Sequence, residues 1–137
     1  MCVVDTVPIF PYTKKPSYYL VSSDALDRLL GRCMNCGAQM VTERCNSAGG
    51  STLIVTGLCT SCLKEMHWRS SAFVEGTRVA HVDLLLSACI MFSGMQISQA
   101  LRLFEFMGVP VITRRTYHNH QATYLHKASY HTYSWVL

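Results

Sequence analysis

Charged residues are what this sequence has least of, and acidic ones are the scarcest. Only 15% of the 137 residues are charged, and 8 acidic side chains stand against 12 lysines and arginines, for a net charge of +4. Because half of the residues are hydrophobic, a chain disordered throughout is excluded and a folded one is predicted. No acidic residue follows Glu105, so the C-terminal part is the positive end. This bias permits nucleic acid as a partner without requiring it.

Long apolar runs are also lacking. The longest, LLLSACIMF at 84–92, is far too short to span a bilayer. The opening MCVVDTVPIFPY has an early Asp5 and two prolines, and it lacks the basic leader and the sustained apolar run of a secretory signal. We therefore expect an intracellular, soluble protein with no membrane partner. Three of the four prolines fall within residues 1–22, which we expect to form an extended arm.

Cysteine, by contrast, is abundant, with seven residues. In an intracellular chain they indicate reduced thiols or metal ligands rather than a disulfide framework. Cys33 and Cys36 form one CxxC pair, and Cys59 and Cys62 form another after twenty-two intervening residues. Two thiolates three residues apart on a tight turn can both reach one tetrahedral ion at about 2.3 Å, and Gly37 lets the backbone turn beneath it. The pattern predicts a zinc ribbon in which these four cysteines bind one structural Zn²⁺.

Other uses of these side chains have weaker support. Ordinary buried or free thiols are one alternative, and a thioredoxin-like redox role would need a CxxC at a helix start within a βαβ unit, which the sequence does not show. Cys45, in a turn between strands, and His67, five residues past Cys62, are secondary ligand candidates. With Trp68, His67 is expected instead to cover the face of the ribbon. Cys89 falls on the apolar side of a helix and is expected to be a buried thiol.

The hydrophobic periodicity predicts an α+β fold, with a small zinc-ribbon β-sheet followed by a three-helix, helix-turn-helix-like bundle. A short helix is capped by Ser23 or Asp24 and ends at Gly31. Its apolar stripe consists of Leu26, Leu29 and Leu30. Residues rich in β-branched side chains predict strands at 39–44 and 51–58, separated by the turn CNSAGG, and a third strand within 65–76. We assign residues 23–78 to this helix and ribbon.

Helical periodicity begins near residue 79, and the bundle is assigned to residues 79–128. Its first helix ends at Gly94, its second ends at Gly108, and its third is capped by Thr113. The residues expected to face inward are Val82, Leu85, Leu86, Cys89 and Ile90 in the first helix, Ile97, Leu101, Phe104 and Met107 in the second, and Tyr117, Ala122, Tyr124 and Leu125 in the third. Residues 129–137 show no usable periodicity and are expected to form a tail.

The third helix of the bundle carries the residues expected to contact DNA. Arginine recognises guanine edges, asparagine and glutamine recognise adenine, and the N-terminal part of a recognition helix contacts the bases. The candidates are Arg114, Arg115, Tyr117, His118, Asn119 and Gln121. The alternative is a solvated face on the last helix of a small bundle.

The order of these elements resembles a group of transposon-derived proteins found widely in invertebrate and fish genomes. The resemblance covers residues from about 20 to 128 and rests on LDRLLGRCMNCG, GSTLIVTGLCTSC, HWRSSAFVEGTRVAHVDLLLSACIMFSG and FMGVPVITRRTYHNHQATYL. It implies that Cys33, Cys36, Cys59 and Cys62 are the metal set, and that residues 113–125 belong to a DNA-contacting bundle placed before a ribonuclease-H-like transposase core. Relatives often carry Gly-His after the third cysteine, where this chain has CTSC, so an exchange of one ligand stays open. The chain ends where the core is expected.

The acidic residues do not suggest a catalytic centre. A ribonuclease-H-like transposase needs three carboxylates that hold two divalent metals, whereas the eight acidic residues here are scattered over arm, helix, ribbon and bundle. We therefore expect no enzymatic activity and no small-molecule substrate. The sequence predicts a non-catalytic, zinc-binding and DNA-binding module derived from a transposase, located in the nucleus, with duplex DNA as its partner. The alternatives are a zinc-stabilised protein-interaction adaptor that uses the apolar helices, and a decayed gene fragment without a selected function.

Overall fold

The computed structural model describes residues 18–127, and the predicted tail and most of the predicted arm lie outside them. The elements in this range are helix α1 (Ser23–Leu30), strands β1 (Val41–Asn46), β2 (Leu53–Leu58) and β3 (Glu65–Arg69), and helices α2 (His81–Phe92), α3 (Ile97–Met107) and α4 (Arg114–His120), the last continued by a π-helical turn (Gln121–Leu125). The three strands form one antiparallel sheet in the order β1-β2-β3. The α+β class predicted from the sequence is confirmed.

Helix α1 begins one residue earlier than predicted. Ser22 is its N-cap and accepts a hydrogen bond from the backbone N–H of Ala25 at 3.4 Å, so neither Ser23 nor Asp24 has that role. Gly31 ends the helix as expected. Of the predicted apolar stripe only Leu30 is buried, whereas Leu29 is 63% exposed. A helix of only two turns buries a narrow stripe.

The sheet has one fully buried residue at its centre, Val55 in β2. Val55 pairs with Arg44 of β1 on one side and with Trp68 of β3 on the other. Arg44 also forms an ion pair with Asp27, which ties α1 to the sheet. The third strand ends at Arg69, before the predicted limit. Between Arg69 and α2, the β pairing consists of an isolated bridge between Phe73 and Ala80. So small a sheet buries little apolar surface of its own, and residues outside it must contribute to its stability.

Helices α2, α3 and α4 enclose a second core. Its buried members are Ile90, Ala100, Ile112 and Tyr117, and Leu86, Ile97 and Leu101 pack against them. The predicted inward face of α3 is confirmed for Ile97, Leu101 and Phe104. Met107 is 49% exposed, because it lies at the last residue before the helix ends at Gly108 in a left-handed conformation.

The predicted inward face of α2 is confirmed for Leu86 and Ile90 but not for two of its other members. Its buried residues are Asp83, Ser87 and Ile90, whereas Leu85 and Cys89 are exposed. The helix is apolar on nearly every side, so its periodicity could not indicate the inward face. Polar partners decide the orientation instead, because Asp83 and Ser87 bond to residues outside the helix. Cys89 is therefore an exposed thiol and not the buried one expected.

The end of the third bundle helix also departs from the prediction. Its last residues form a π-helical turn, in which Leu125 is buried and Tyr124 partly buried, while Ala122 is exposed. A π turn contains more residues than an α turn. Residues assigned to the inward side by α-helical spacing therefore no longer all lie on that side. Thr113 caps α4 as predicted, with its Oγ1 accepting from the N–H of Thr116 at 3.1 Å.

The turn between β1 and β2 (residues 47–52, the β1–β2 turn) contacts the helices. The carbonyl oxygen of Gly49 accepts hydrogen bonds from Thr113 N at 3.3 Å and from Thr116 Oγ1 at 2.8 Å. Asp83 Oδ1 accepts from the N–H of Ser51 at 2.8 Å and from its hydroxyl. The sheet is thus joined to α2 and α4 by polar contacts at one turn. Among residues 18–127, no helix has both the length and the apolar character that crossing a membrane requires.

Candidate metal centre

The two CxxC pairs lie in turns with the same backbone hydrogen bonds. In the first, Cys33 N donates to Ala38 O and Gly37 N donates to Cys33 O, both at 2.8 Å. In the second, Cys59 N donates to Lys64 O at 3.0 Å, and Leu63 N donates to Cys59 O at 2.8 Å. We call residues 33–38 and 59–64 the first and second knuckles. A bridge between residues 32 and 39 closes the first, and β2 and β3 flank the second.

Each knuckle turns through a residue with positive φ directly after its second cysteine. In the first knuckle this residue is Gly37, with φ 75°, as expected from the sequence. In the second it is Leu63, with φ 57°, and within residues 18–127 no other non-glycine residue has a positive φ. Left-handed backbone is unfavourable for a residue with a Cβ. That Leu63 adopts it indicates that the surrounding contacts impose the knuckle conformation.

The four cysteine Sγ atoms lie within 4.8 Å of one another. The closest pairs join the two knuckles: Cys33 to Cys62 at 3.6 Å and Cys36 to Cys59 at 3.5 Å. A tetrahedral ion with metal–sulfur distances of about 2.3 Å has sulfur–sulfur edges of about 3.8 Å. A disulfide would need about 2.0 Å, and all four thiols are free. The cluster can therefore hold one metal ion.

Backbone N–H groups point at the first cysteine of each knuckle. The N–H groups of Cys36 and, next, Asn35 lower the pKa of Cys33 below its ordinary value of 9.0. At the matching position of the second knuckle, the N–H of Cys62 lowers the pKa of Cys59. A hydrogen bond donated to a thiolate favours the charged form. Both buried cysteines are therefore prepared to be thiolates, which is the form that binds metal.

The second cysteine of each knuckle also receives a backbone N–H, and here the two knuckles differ. The N–H of Lys64 lowers the pKa of Cys62. The N–H of Ala38 lowers that of Cys36 too, but the contacts with the other cysteine sulfurs, that of Cys59 foremost, outweigh it and raise the pKa of Cys36 to about 12. Four thiolates this close repel one another, so one keeps its proton until a cation balances the charge.

Apolar side chains surround the cluster on its inner side. Met40 is buried with Cys33 and Cys59, and Ala38 and Met66 pack against them. Cys59 is fully buried and Cys33 is 6% exposed, whereas Cys36 lies at the surface. A closed set of four sulfur ligands leaves no open position for a substrate, which is typical of structural rather than catalytic metal sites.

The secondary ligand candidates lie outside this cluster. His67 is on β3, with a side chain 71% exposed, and its Nε2 is 3.5 Å from Glu65 Oε2. Cys45 is exposed on β1, in the strand and not in a turn as expected. Within the described range, the group that could hold a metal contains neither residue. Trp68 is partly buried, which agrees with the expectation that it covers a face of the ribbon.

The candidate DNA-contacting residues do not all share one surface. Arg114, Arg115, His118 and Asn119 are exposed on α4. Tyr117 is 6% exposed and belongs to the core of the three helices, so its ring supports the helix from within. Gln121 is partly buried, and its side chain bonds to Tyr117 Oη at 3.0 Å and to His118 Nδ1 at 3.1 Å. The exposed candidates are therefore the four residues named first.

A buried polar group near α4 was missed from the sequence. It comprises Asp83, Ser87 and His120, joined by a 2.8 Å contact between Ser87 Oγ and His120 Nδ1 and by a 3.0 Å hydrogen bond from Ser87 Oγ to the carbonyl of Asp83. These residues are up to 37 positions apart in the chain. The signal that could have indicated them is the placement of Asp83 and Ser87 four residues apart, on one face of an otherwise apolar helix.

The chain was compared for similarity with protein-family models, curated proteins and solved structures. None gives a match.

Proposed function

We propose that this chain is a non-catalytic zinc-binding and DNA-binding module derived from a transposase. The observation that carries the zinc part is the pair of matching knuckles, which bring four cysteine Sγ atoms within 4.8 Å of one another. Zinc suits this donor set, because four thiolates in a tetrahedral arrangement select Zn²⁺ or iron–sulfur chemistry over hard cations. The metal would hold the ribbon together, since Val55 is the only residue of its three strands that is fully buried.

The DNA part of the proposal is supported by α4. Arg114 and Arg115 are exposed in its first turn, followed by His118 and Asn119. No acidic residue follows Glu105 in the sequence, so nothing in this part of the chain opposes their charge. In a helix-turn-helix arrangement, with α3 and α4 as the helix pair, α4 would enter the major groove and its arginines would contact phosphates or guanine edges. The proposed transposase origin rests on the resemblance of residues 20–128 to transposon-derived proteins, and a nuclear location is part of the same proposal.

The absence of catalysis is supported by the surroundings of the polar groups. Ser87, which contacts His120, is fully buried and cannot reach a substrate as a nucleophile. Among the described acidic residues only Asp83 is buried, and a two-metal nuclease would need three converging carboxylates.

One observation favours a second function, a protein-interaction adaptor. Helix α3 exposes large apolar side chains on its outer side, with Phe106 85% and Leu103 53% exposed. Exposed apolar residues on neighbouring turns are typical of protein interfaces. Binding to another protein through this helix would depend little on salt, in contrast to binding of DNA through Arg114 and Arg115.

The zinc proposal is tested by elemental analysis of purified protein. We expect about one zinc per chain, and loss of that zinc in Cys59→Ser, because removing a buried ligand opens the tetrahedral site. Cys45→Ser and Cys89→Ser are matched controls, since both remove an exposed thiol outside the cluster. Less than about half a zinc per chain in the unmodified protein, or equal loss in the controls, would overturn the assignment.

The DNA proposal is tested by titrating duplex DNA at several salt concentrations. We expect affinity to fall steeply with salt, and the double variant Arg114→Ala/Arg115→Ala to bind more weakly and with a salt slope lower by about two. The control Arg28→Ala/Arg102→Ala removes the same charge from α1 and α3. Equal weakening in both double variants would show that only net charge matters, and salt-insensitive capture of a protein partner would favour the adaptor.

A further inference from the structure

A cleft lies between the β1–β2 turn, the segment of residues 73–80, and the helical segment from α4 to its π turn. Its volume is about 690 Å³, within the range of ligand-binding pockets. It is separate from the cysteine cluster, and none of the four cysteines lines it. Arg114 and Arg115 do not line it either. Of the residues proposed to contact DNA only Asn119 belongs to the lining of the cleft, and no proposed metal ligand does.

A buried carboxylate with one free oxygen lines the cleft. Asp83 is 5% exposed. Its Oδ1 accepts both hydrogen bonds from Ser51, and within residues 18–127 no hydrogen bond reaches its Oδ2. Gly50 lies against that oxygen, and a Cβ at residue 50 would come within 2.2 Å of Oδ2. Only glycine at residue 50 therefore leaves room beside Oδ2. An acceptor oxygen without a donor in the lining of a cleft favours a ligand that supplies an N–H.

Further acceptors lie beside Asp83. The hydroxyl oxygen of Ser47 lines the cleft and is buried without a hydrogen-bond partner among the described residues. Ser87 Oγ contacts both the Asp83 carbonyl and His120 Nδ1, and the tautomer of the imidazole decides which atom donates in the second contact. Burial lowers the pKa of His120, although Asp83 opposes the shift. Asp83 and Ser47 thus place acceptor oxygens in the lining of the cleft.

The remaining walls are apolar and aromatic, and one side is positive. Phe73 and Tyr124 are partly buried aromatic residues in the lining, and Arg78 is an exposed cation there. Arg69 lies 5.1 Å from the centre of the Phe73 ring and adds positive charge at that wall. A ligand that fits all these features is planar, donates N–H groups at one edge, and carries a negative charge at the other end. A lysine side chain or a bare cation would meet Arg78 and leave the aromatic walls unused.

We propose that this cleft binds a nucleobase together with its phosphate, with an amino or imino N–H of the base on Asp83 Oδ2 and the phosphate at Arg78. Carboxylates accept hydrogen bonds from base amino groups, and aromatic side chains stack on bases. The nucleotide comes either free or as an unpaired base of a single strand, since a base inside a duplex cannot enter a cleft.

The test is a titration of zinc-loaded full-length protein with AMP, CMP, GMP and UMP, followed by NMR or calorimetry. We expect saturable binding of at least one nucleotide and none of ribose 5-phosphate at the same concentration. Arg78→Ala and Asp83→Asn should each weaken that binding by about tenfold or more, because each removes a charged partner. Arg102→Ala, an exposed arginine on α3, is the control and should bind as the unmodified protein.

Two further experiments distinguish loss of binding from loss of folding, and a free nucleotide from a single strand as the source of the base. Tyr124→Ala leaves both charged groups intact and should weaken binding by loss of stacking, so it tests the site even where Asp83→Asn lowers the melting temperature. A short single-stranded oligonucleotide that binds through the same residues more tightly than the mononucleotides identifies a strand as the source. No saturable binding of any of these probes, binding of ribose 5-phosphate as strong as that of the nucleotides, or binding unchanged by all three variants overturns the proposal. Arg114→Ala/Arg115→Ala should not affect mononucleotides, which distinguishes this site from the proposed duplex contact.

Discussion

Leu63 is the residue at which a substitution should stabilise this protein. It has φ 57° in the second knuckle, whereas the matching position of the first knuckle is Gly37, with φ 75°. A residue with a Cβ is less stable in the left-handed region by about 1–2 kcal/mol. Glycine loses about 0.5–1 kcal/mol more conformational entropy on folding, and the Leu63 side chain is 75% exposed, so little buried surface is lost. Leu63→Gly should therefore stabilise the folded chain by about 0.5–1 kcal/mol.

The assay is urea unfolding of the zinc-loaded protein, combined with a chelator competition for the metal. Because the knuckle forms only in the folded state, the same free energy should appear as roughly two- to fivefold tighter zinc binding. Leu63→Ala is the matched control, since it removes the side chain but keeps the Cβ and the strain, and should change stability little. Gly37→Leu introduces the same strain in the first knuckle and should therefore lower the stability and weaken zinc binding.

Two results would refute this reasoning. If Leu63→Gly lowers stability, the leucine side chain makes contacts that outweigh the backbone strain. If Leu63→Ala stabilises as much as Leu63→Gly, the gain comes from removing an exposed apolar side chain and not from the change of φ preference.

Two further predictions concern buried polar groups. Thr52 is fully buried, and its hydroxyl has no hydrogen-bond partner within the described chain, so Thr52→Val should raise the free energy of unfolding by about 1 kcal/mol. Thr56→Val is the control, because Thr56 is only partly buried. A lower free energy of unfolding in urea for Thr52→Val would mean that the hydroxyl is hydrogen-bonded. Burial lowers the pKa of His120 below 6.5 in the folded state. Because the unfolded chain therefore takes up the proton first, the stability that neutral His120 contributes is complete above the unfolded pKa of about 6.5 and is lost as pH falls from there through the folded pKa. At saturating zinc the unmodified protein should lose more stability on acidification than His120→Gln, and equal losses would contradict this.

The features that the sequence predicted correctly depend on short segments. Cys33 and Cys36, three positions apart, must share a turn, and a second pair of the same spacing makes a common site probable on chemistry alone. Thr113 and Gly108 act as caps because capping depends on a residue and its immediate neighbours. For the same reason the three strands could be found from their β-branched residues, although β3 ends earlier than expected.

The features that could not be predicted depend on contacts between distant segments. The inward face of α2 is decided by Ser51 and His120, which lie 32 and 37 residues from Asp83. With those partners unknown, hydrophobicity favoured the side of Leu85 and Cys89, which is exposed. The spacing of residues in the sequence could not predict the free oxygen of Asp83 or the cleft around it, because the lining comes from three separate parts of the chain.

The metal centre and the helices are connected through the sheet, and this connection has a consequence for α4. Strands β1 and β2 leave the two knuckles at one end and meet in the β1–β2 turn at the other, where Gly49 O accepts from Thr113 and Thr116 at the start of α4. With little buried apolar surface in the sheet, a metal ion bound by the four cysteines would be the main contact that holds the knuckles together. Loss of the metal would therefore release the turn that contacts α4, and both proposed contacts with nucleic acid, on α4 and in the cleft, would weaken together. If the cluster holds a structural zinc ion as proposed, the proposed nucleic-acid binding would depend on zinc even though the four cysteines lie outside both proposed contact sites.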